Sequence, residues 1–216
     1  MSGAQFGQAV IYFGCLLVAV ILHEVGHGWA ALAFGDRTAK DAGRLTLNPV
    51  PHIDPFGSLL MPALGALTGL PVIGWAKPVP VNPSRMRHPR RSSLWVSLAG
   101  PITNFVLMAL AALAARHVWQ STTGVYGSID DLPLGLRVLF SFALVNLLLG
   151  VFNFLPVPPL DGSALIERVL PEEWMPGWYK FRPYGILVLF VLVFATGLVS
   201  RIFVPLRNDL ADFVFG

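Results

Sequence analysis

The chain has 216 residues, 55% hydrophobic and only 12% charged, with a mean hydropathy of +0.65. A soluble domain carries about 25% charged residues, so the composition excludes a soluble globular protein and places the chain in a membrane. The net charge of +3 and pI near 9.4 fit basic loops beside membrane segments. No aromatic-basic interleaving supports nucleic-acid binding, and the single cysteine, Cys15, excludes an internal disulfide framework.

Four apolar stretches, 6–34, 92–118, 137–156 and 184–204, can each cross a hydrocarbon core of about 30 Å, which takes about 20 helical residues. They predict an all-α polytopic membrane protein forming a single membrane-embedded domain over residues 1–216. Met1 to Gln5 lacks a basic region, so the first stretch reads as a retained helix and not a cleaved signal. Inside it, residues 23–27 are His-Glu-Val-Gly-His. Two histidines four apart project from one helix face, where both can reach one Zn²⁺, and the intervening Glu24 can act as general base. A carboxylate in hydrocarbon costs about 2.5–3.5 kcal/mol even on the lenient insertion scales, so Glu24 needs a functional reason to be there.

Residues 56–73 are apolar but rich in Gly and Pro, which suits a re-entrant loop or short hairpin buried in protein; a fifth, kinked span is the alternative. With a re-entrant segment, loops 35–55, 74–91 and 157–183 share one face. They then carry every Lys and Arg except Arg116, Arg137, Arg201 and Arg207, which makes that face cytoplasmic. Trp95 and Trp119 bracket the second span, and Trp174 and Trp178 precede the last, as interfacial anchors do. The His-Glu motif then lies in the cytoplasmic half of the first helix.

A catalytic zinc takes three protein ligands and keeps one open position. His117 belongs to the opposite face, and His88 sits among Arg85, Arg87, Arg90 and Arg91, where a cation is repelled. Asp161 is the better third ligand. It follows the third span in a segment where Pro156, Pro158 and Pro159 cannot continue a helix, and irregular backbone near membrane depth is tolerated only against protein or a wet cavity. His52 and Asp54, in the loop leading to 56–73, read either as a loop-stabilising pair or as groups that orient or transiently join the metal ligands. The segment Gly74–Asn82, punctuated by prolines, can run extended and pair edge-on with an unwound substrate.

The motif at 23–27, Ala99-Gly-Pro-Ile-Thr-Asn104 and Asn153-Phe-Leu-Pro-Val-Pro-Pro-Leu-Asp-Gly162 occur in that order on separate membrane segments. Together they resemble the site-2 protease family of intramembrane zinc metalloproteases, with its HExxH, AGPxxN and NxxPxPxxDG patterns. The resemblance implies one zinc ion per chain held by His23, His27 and Asp161, with Glu24 as base. It implies that Asn153 hydrogen-bonds the substrate strand or the oxygen of the tetrahedral intermediate. It assigns Asn104 to helix packing near the site; a buried amide bonded to backbone is the other reading, and Asn104 joins His52 and Asp54 as a candidate support behind the ligands. The implied substrates are transmembrane proteins, in some cases trimmed first by another protease, cut within or near their membrane segments. The short loops leave no room for a PDZ or CBS domain, which suggests a compact subgroup in a prokaryotic plasma membrane with its active site toward the cytoplasm. A catalytically silent zinc protein that binds transmembrane segments or handles metal is the rival reading. Glu24 argues against the silent form, and the opposite face, with only His117, Asp130 and Asp131, offers no path of ligands for metal handling.

Overall fold

The structure is a computed structural model and describes residues 3–54, 77–124 and 126–216. Among these residues there are helices and loops and no β-strand. Three helices are long and apolar enough to cross a membrane: α1 (Gly3–Ala33) and, after the single turn α2 (Thr38–Asp41), α3 (Pro89–Gln120) and α4 (Leu134–Phe154). At 1.5 Å per residue they are about 47, 48 and 32 Å long, sufficient for the hydrocarbon core. Shorter helices follow: α5 (Ser163–Val169), α6 (Met175–Phe181), α7 (Gly185–Phe194) and α8 (Leu198–Phe215).

The first three predicted spans coincide with α1, α3 and α4 to within a few residues. The fourth, 184–204, is not one helix. α7 stops at Phe194, and the chain turns through Gly197, at φ 62°, before α8 begins. That left-handed conformation costs an L-residue about 1–2 kcal/mol and glycine essentially nothing, so Thr196-Gly197 is a break that an apolar count passes over. α8 is also amphipathic: it exposes Arg201, Arg207, Asp209 and Asp212 and buries Leu210 and Val214 in one core with Ala111, Ala112 and Ala115 of α3. The region expected to be re-entrant, 56–73, lies outside the described residues. Close to its two ends, the Lys77 N–H donates to the His52 carbonyl over 2.9 Å.

The main core joins α3, α4 and α8, with Leu136, Phe140, Ala143, Leu144 and Leu147 of α4 buried among the alanines of α3. Small residues let helices approach closely where lipid provides no hydrophobic drive for association. A smaller apolar contact of Cys15, Ala19 and Val145 joins α1 to α4. Nearer the start of both helices, Gln8 donates to Ser141 at 3.0 Å and accepts from Arg137 at 2.9 Å.

α1 ends on a glycine. Gly35, at φ 103°, gives its N–H to Leu32, and Asp36 gives its own to Ala31, the paired bonds by which a left-handed residue closes a helix. This turn places Asp36, fully buried, beneath the segment Lys77–Asn82. Three groups hold that segment as a strap across the end of α1. Arg44 donates to the Lys77 carbonyl at 2.7 Å, Glu24 accepts from Val79 N at 2.7 Å, and Asp36 accepts from Asn82 N at 2.6 Å. Burial alone would raise the Asp36 carboxyl, but hydrogen bonds from the Thr38 hydroxyl, Asn82 N and Thr38 N, together with the charge of Arg85, bring it below its ordinary 3.8.

A lowered folded-state pKa means that this support is in place above pH 3.8 and fades as pH falls through the lower folded value. Asp36→Ala leaves the half-buried Thr38 and Asn82 amides without their acceptor, so a stability loss of about 1–3 kcal/mol is expected. In hydrogen exchange, the Thr38 and Asn82 amides, both bonded to Asp36, lose protection at neutral pH in D36A and only below pH 3.8 in the wild type. Unchanged protection in D36A would remove Asp36 as the anchor.

Candidate metal centre

His23 and His27 lie one turn apart on α1 and are 7% and 8% exposed. Their rings meet edge to face with centroids 4.6 Å apart. The two Nε2 atoms are 3.0 Å from each other, and Asp161 Oδ2 lies 3.1 Å from that of His23 and 3.3 Å from that of His27.

Glycine permits this crowding. A Cβ on Gly100 of α3 would stand 2.4 Å from His27 Nε2 and 2.6 Å from His23 Cε1, and one on Gly26 would stand 2.5 Å from Thr103 Oγ1. The helices therefore cross at a point where only hydrogen fits, and both imidazoles pack against bare backbone. Pro101, buried beside Gly100, has no N–H to give Ser97, and Ser97 lines the cavity described below.

Asp161 reaches the pair because the chain doubles back. α4 ends at Phe154 ahead of the prolines, and Gly162 N then donates to the Asn153 carbonyl at 2.7 Å. A Cβ on Gly162 would stand 2.3 Å from the Phe154 carbonyl oxygen. Glycine after Asp161 thus lets the loop lie flat on the end of α4 and present the carboxylate to α1.

The donor set fits zinc. His27 Nδ1 is 2.7 Å from the Val96 carbonyl, which can only accept, so the neutral ring carries its proton on Nδ1 and leaves the Nε2 lone pair for a metal. Asp161 Oδ2 is buried without a hydrogen-bond donor. The three ligand atoms lie within 4.8 Å of one another, an arrangement of acceptors that calls for a cation. Ligands at about 2.0–2.1 Å from a tetrahedral zinc stand about 3.3 Å apart, close to the separations here. Two imidazoles and a carboxylate are also a donor set that catalytic zinc takes while keeping one position open.

Glu24, half-buried, borders a cavity of about 720 Å³ together with His27 and Asp161. The strap, through Pro78, Val79 and Val81, forms one wall, and the start of α3, with Arg90, forms another. Arg90 donates to the Glu167 carbonyl at 3.1 Å, while Glu167 accepts from Trp178 at 2.9 Å and pairs with Arg182 at 3.2 Å. These bonds fasten α5 and α6 to the rim.

The other candidates separate. Asn104 is fully buried, with Oδ1 2.6 Å from His23 Nδ1 and Nδ2 donating to Asn146 Oδ1 at 2.9 Å, so it contacts side chains of two other helices. Asn153 donates to the Leu149 carbonyl of its own helix at 3.1 Å and is not among the residues that line the cavity described above. His52 is buried, its ring bonded to the Thr46 carbonyl at 3.0 Å, and braces its loop. Asp54 is half-buried, and neither it nor His52 belongs to the ligand cluster. Sequence reasoning missed Gly100, the Val79 N–H that binds Glu24, and Asn146, whose amide in the middle of the third apolar stretch was a readable signal.

Gly100→Ala adds a methyl group where none fits. Such overpacking typically costs about 1–3 kcal/mol, and metal analysis of the purified protein should find zinc depleted in G100A but not in Leu110→Ala, a change on the exposed side of α3. Full zinc in G100A would mean that the helices can part without harm to the site.

Comparison with known proteins agrees with this centre. The model of peptidase family M50 matches residues 11–196. YwhC of Bacillus subtilis is 37% identical over 200 residues, covering 91% of this chain and 85% of its own. Rip2 of Mycolicibacterium smegmatis is 32% identical over 207 residues, covering 96% of this chain and 75% of its own. MJ0392 of Methanocaldococcus jannaschii is 23% identical over 164 residues, 76% of this chain and 35% of its own. All three carry the words zinc metalloprotease in their names. No solved structure gives a significant match. The family match along most of the sequence, met by a zinc-type donor set on its membrane helices, establishes that this chain belongs to peptidase family M50, the site-2 protease family of zinc metalloproteases.

Proposed function

We propose that this metalloprotease hydrolyses peptide bonds within or near the transmembrane segments of membrane-protein substrates, with His23, His27 and Asp161 as zinc ligands and Glu24 as general base. The observation that carries the reading is the convergence of His23, His27 and Asp161, the last two lining a cavity that Glu24 also borders, with both histidines and Glu24 on a helix long and apolar enough to span a membrane. Zinc bound there would supply a Lewis acid that lowers the pKa of a water toward neutrality and polarises a carbonyl.

The chain's own groups do the rest. Val79 N–H holds Glu24 Oε2 at 2.7 Å, which leaves the other carboxylate oxygen free to take a proton from water and later pass it to the leaving amine. A helical substrate has its carbonyls occupied one turn away and must unwind before attack. Beside the metal centre the strap offers an irregular segment for an unwound chain to lie against. Pro78 and Pro80 have no N–H, so Val79 is the sole amide donor among residues 78–80, and it is directed at Glu24. Arg90, Arg168 and Arg182 near the cavity support a cytoplasmic placement of the site, in a prokaryotic plasma membrane, with a prior cut by another protease as the step that delivers substrate.

Glu24→Gln should keep stoichiometric zinc and lose cleavage of a transmembrane reporter by about 10²–10⁴-fold, the usual worth of a positioned base. Asp161→Ala should lose zinc and cleavage together. Cleavage by E24Q would remove Glu24 from the base role, and full zinc in D161A would remove the third ligand. Topology is tested separately. In a Cys15→Ser background, a cysteine placed at Arg37 should be shielded from a membrane-impermeant maleimide in intact cells, and one placed at Thr122 should react. The opposite pattern would invert the orientation.

A further inference from the structure

One fully buried polar side chain has no part in the ligand set or the proton path. Asn146 sits in the middle of α4, surrounded by the leucines and valines of its own span. Its Nδ2 donates to the Phe142 carbonyl at 2.8 Å, and its Oδ1 accepts from Asn104 Nδ2 at 2.9 Å. Asn104 Oδ1 in turn lies 2.6 Å from His23 Nδ1.

The polarity of this series has one solution. A backbone carbonyl can only accept, so the side of Asn146 facing Phe142 must be its NH₂. Its oxygen then faces Asn104, which must answer with its own NH₂ and turn its oxygen to His23. Facing an acceptor, His23 must hold its proton on Nδ1, and its Nε2 lone pair is directed at His27 and Asp161. His27 obeys the same rule in one step, through the carbonyl of Val96. Both imidazoles are therefore set by a helix carbonyl, one directly and the other through two amides.

We infer that Asn146 is a positioning residue for the metal centre: by fixing the orientation of Asn104 it fixes the tautomer of His23 that can bind zinc. The inference rests on the zinc reading of His23, His27 and Asp161. Without Asn146, the nearly symmetric amide of Asn104 can turn over and offer NH₂ to Nδ1. The ring proton then moves to Nε2, where it competes with the metal. A residue serving only to join α3 to α4 would cost stability without this dependence on Asn104.

The test measures zinc affinity of the purified full chain by competition with a chelating dye, beside the visible spectrum of the cobalt form. N146L should weaken zinc by about 10–100-fold, the usual cost of removing a group that orients a ligand, and should alter the cobalt spectrum. N104D presents only acceptors to His23, so it should hold the tautomer unaided, and N104D/N146L should bind zinc as tightly as N104D. N146A gives the same readout if N146L does not fold. Wild-type affinity in N146L or N146A, or an equal loss in the native and N104D backgrounds, would overturn the proposal. A wild type that binds no zinc would instead overturn the metal centre itself.

Discussion

Two imidazole nitrogens and a carboxylate oxygen held 3.0–3.3 Å apart in a buried site form a cluster of acceptor groups that a single cation would satisfy together. In water such groups would turn outward. Inside a bundle of apolar helices the field among them is strong and solvent relief is small, so the surrounding chain must both compel the convergence and supply the metal its open approach. The fold around the centre follows from those two demands.

Compulsion comes from backbone more than from side chains. Gly26 and Gly100 let α1 and α3 touch, Gly162 lets the loop of Asp161 lie against the end of α4, and carbonyls of Val96 and Phe142 set the direction in which the imidazoles can donate. Helix backbone is the stiffest material available, and a ligand referenced to it has little freedom to relax. Access comes from the opposite side, where the strap, the start of α3 and α5 leave a cavity open to Glu24. The strap is held by hydrogen bonds with Arg44, Glu24, Asp36 and the His52 carbonyl, and by the burial of Val79.

Much of this was legible in the sequence because it depends on local periodicity. Histidines four apart share a helix face, unbroken apolar helices of sufficient length can cross lipid, and a proline cluster ends α4 ahead of Asp161. The unread parts depend on register between distant segments. That Asn104 would face His23, and Asn146 face Asn104, follows from how α1, α3 and α4 cross, which no single helix encodes. The bond from Val79 to Glu24 joins segments far apart in sequence for the same reason. The broken fourth span is a different failure: Thr196-Gly197 is a local signal, but an average over an apolar window dilutes one glycine among its neighbours.

The doubling back of the chain at Gly162 has a consequence for the lifetime of the protein. It makes the ligand set discontinuous, two residues from α1 and one from beyond α4, so zinc held there would tie the first span to the end of the third. A metal bound by the folded chain and not by the unfolded one stabilises it by about 2.7 kcal/mol when free metal stands a hundredfold above its dissociation constant. A small bundle, whose native state has a modest margin over unfolding, would depend on that contribution. Metal supply would then govern how long the protease persists in its membrane as well as whether it cuts, coupling its abundance to the zinc economy of the cell.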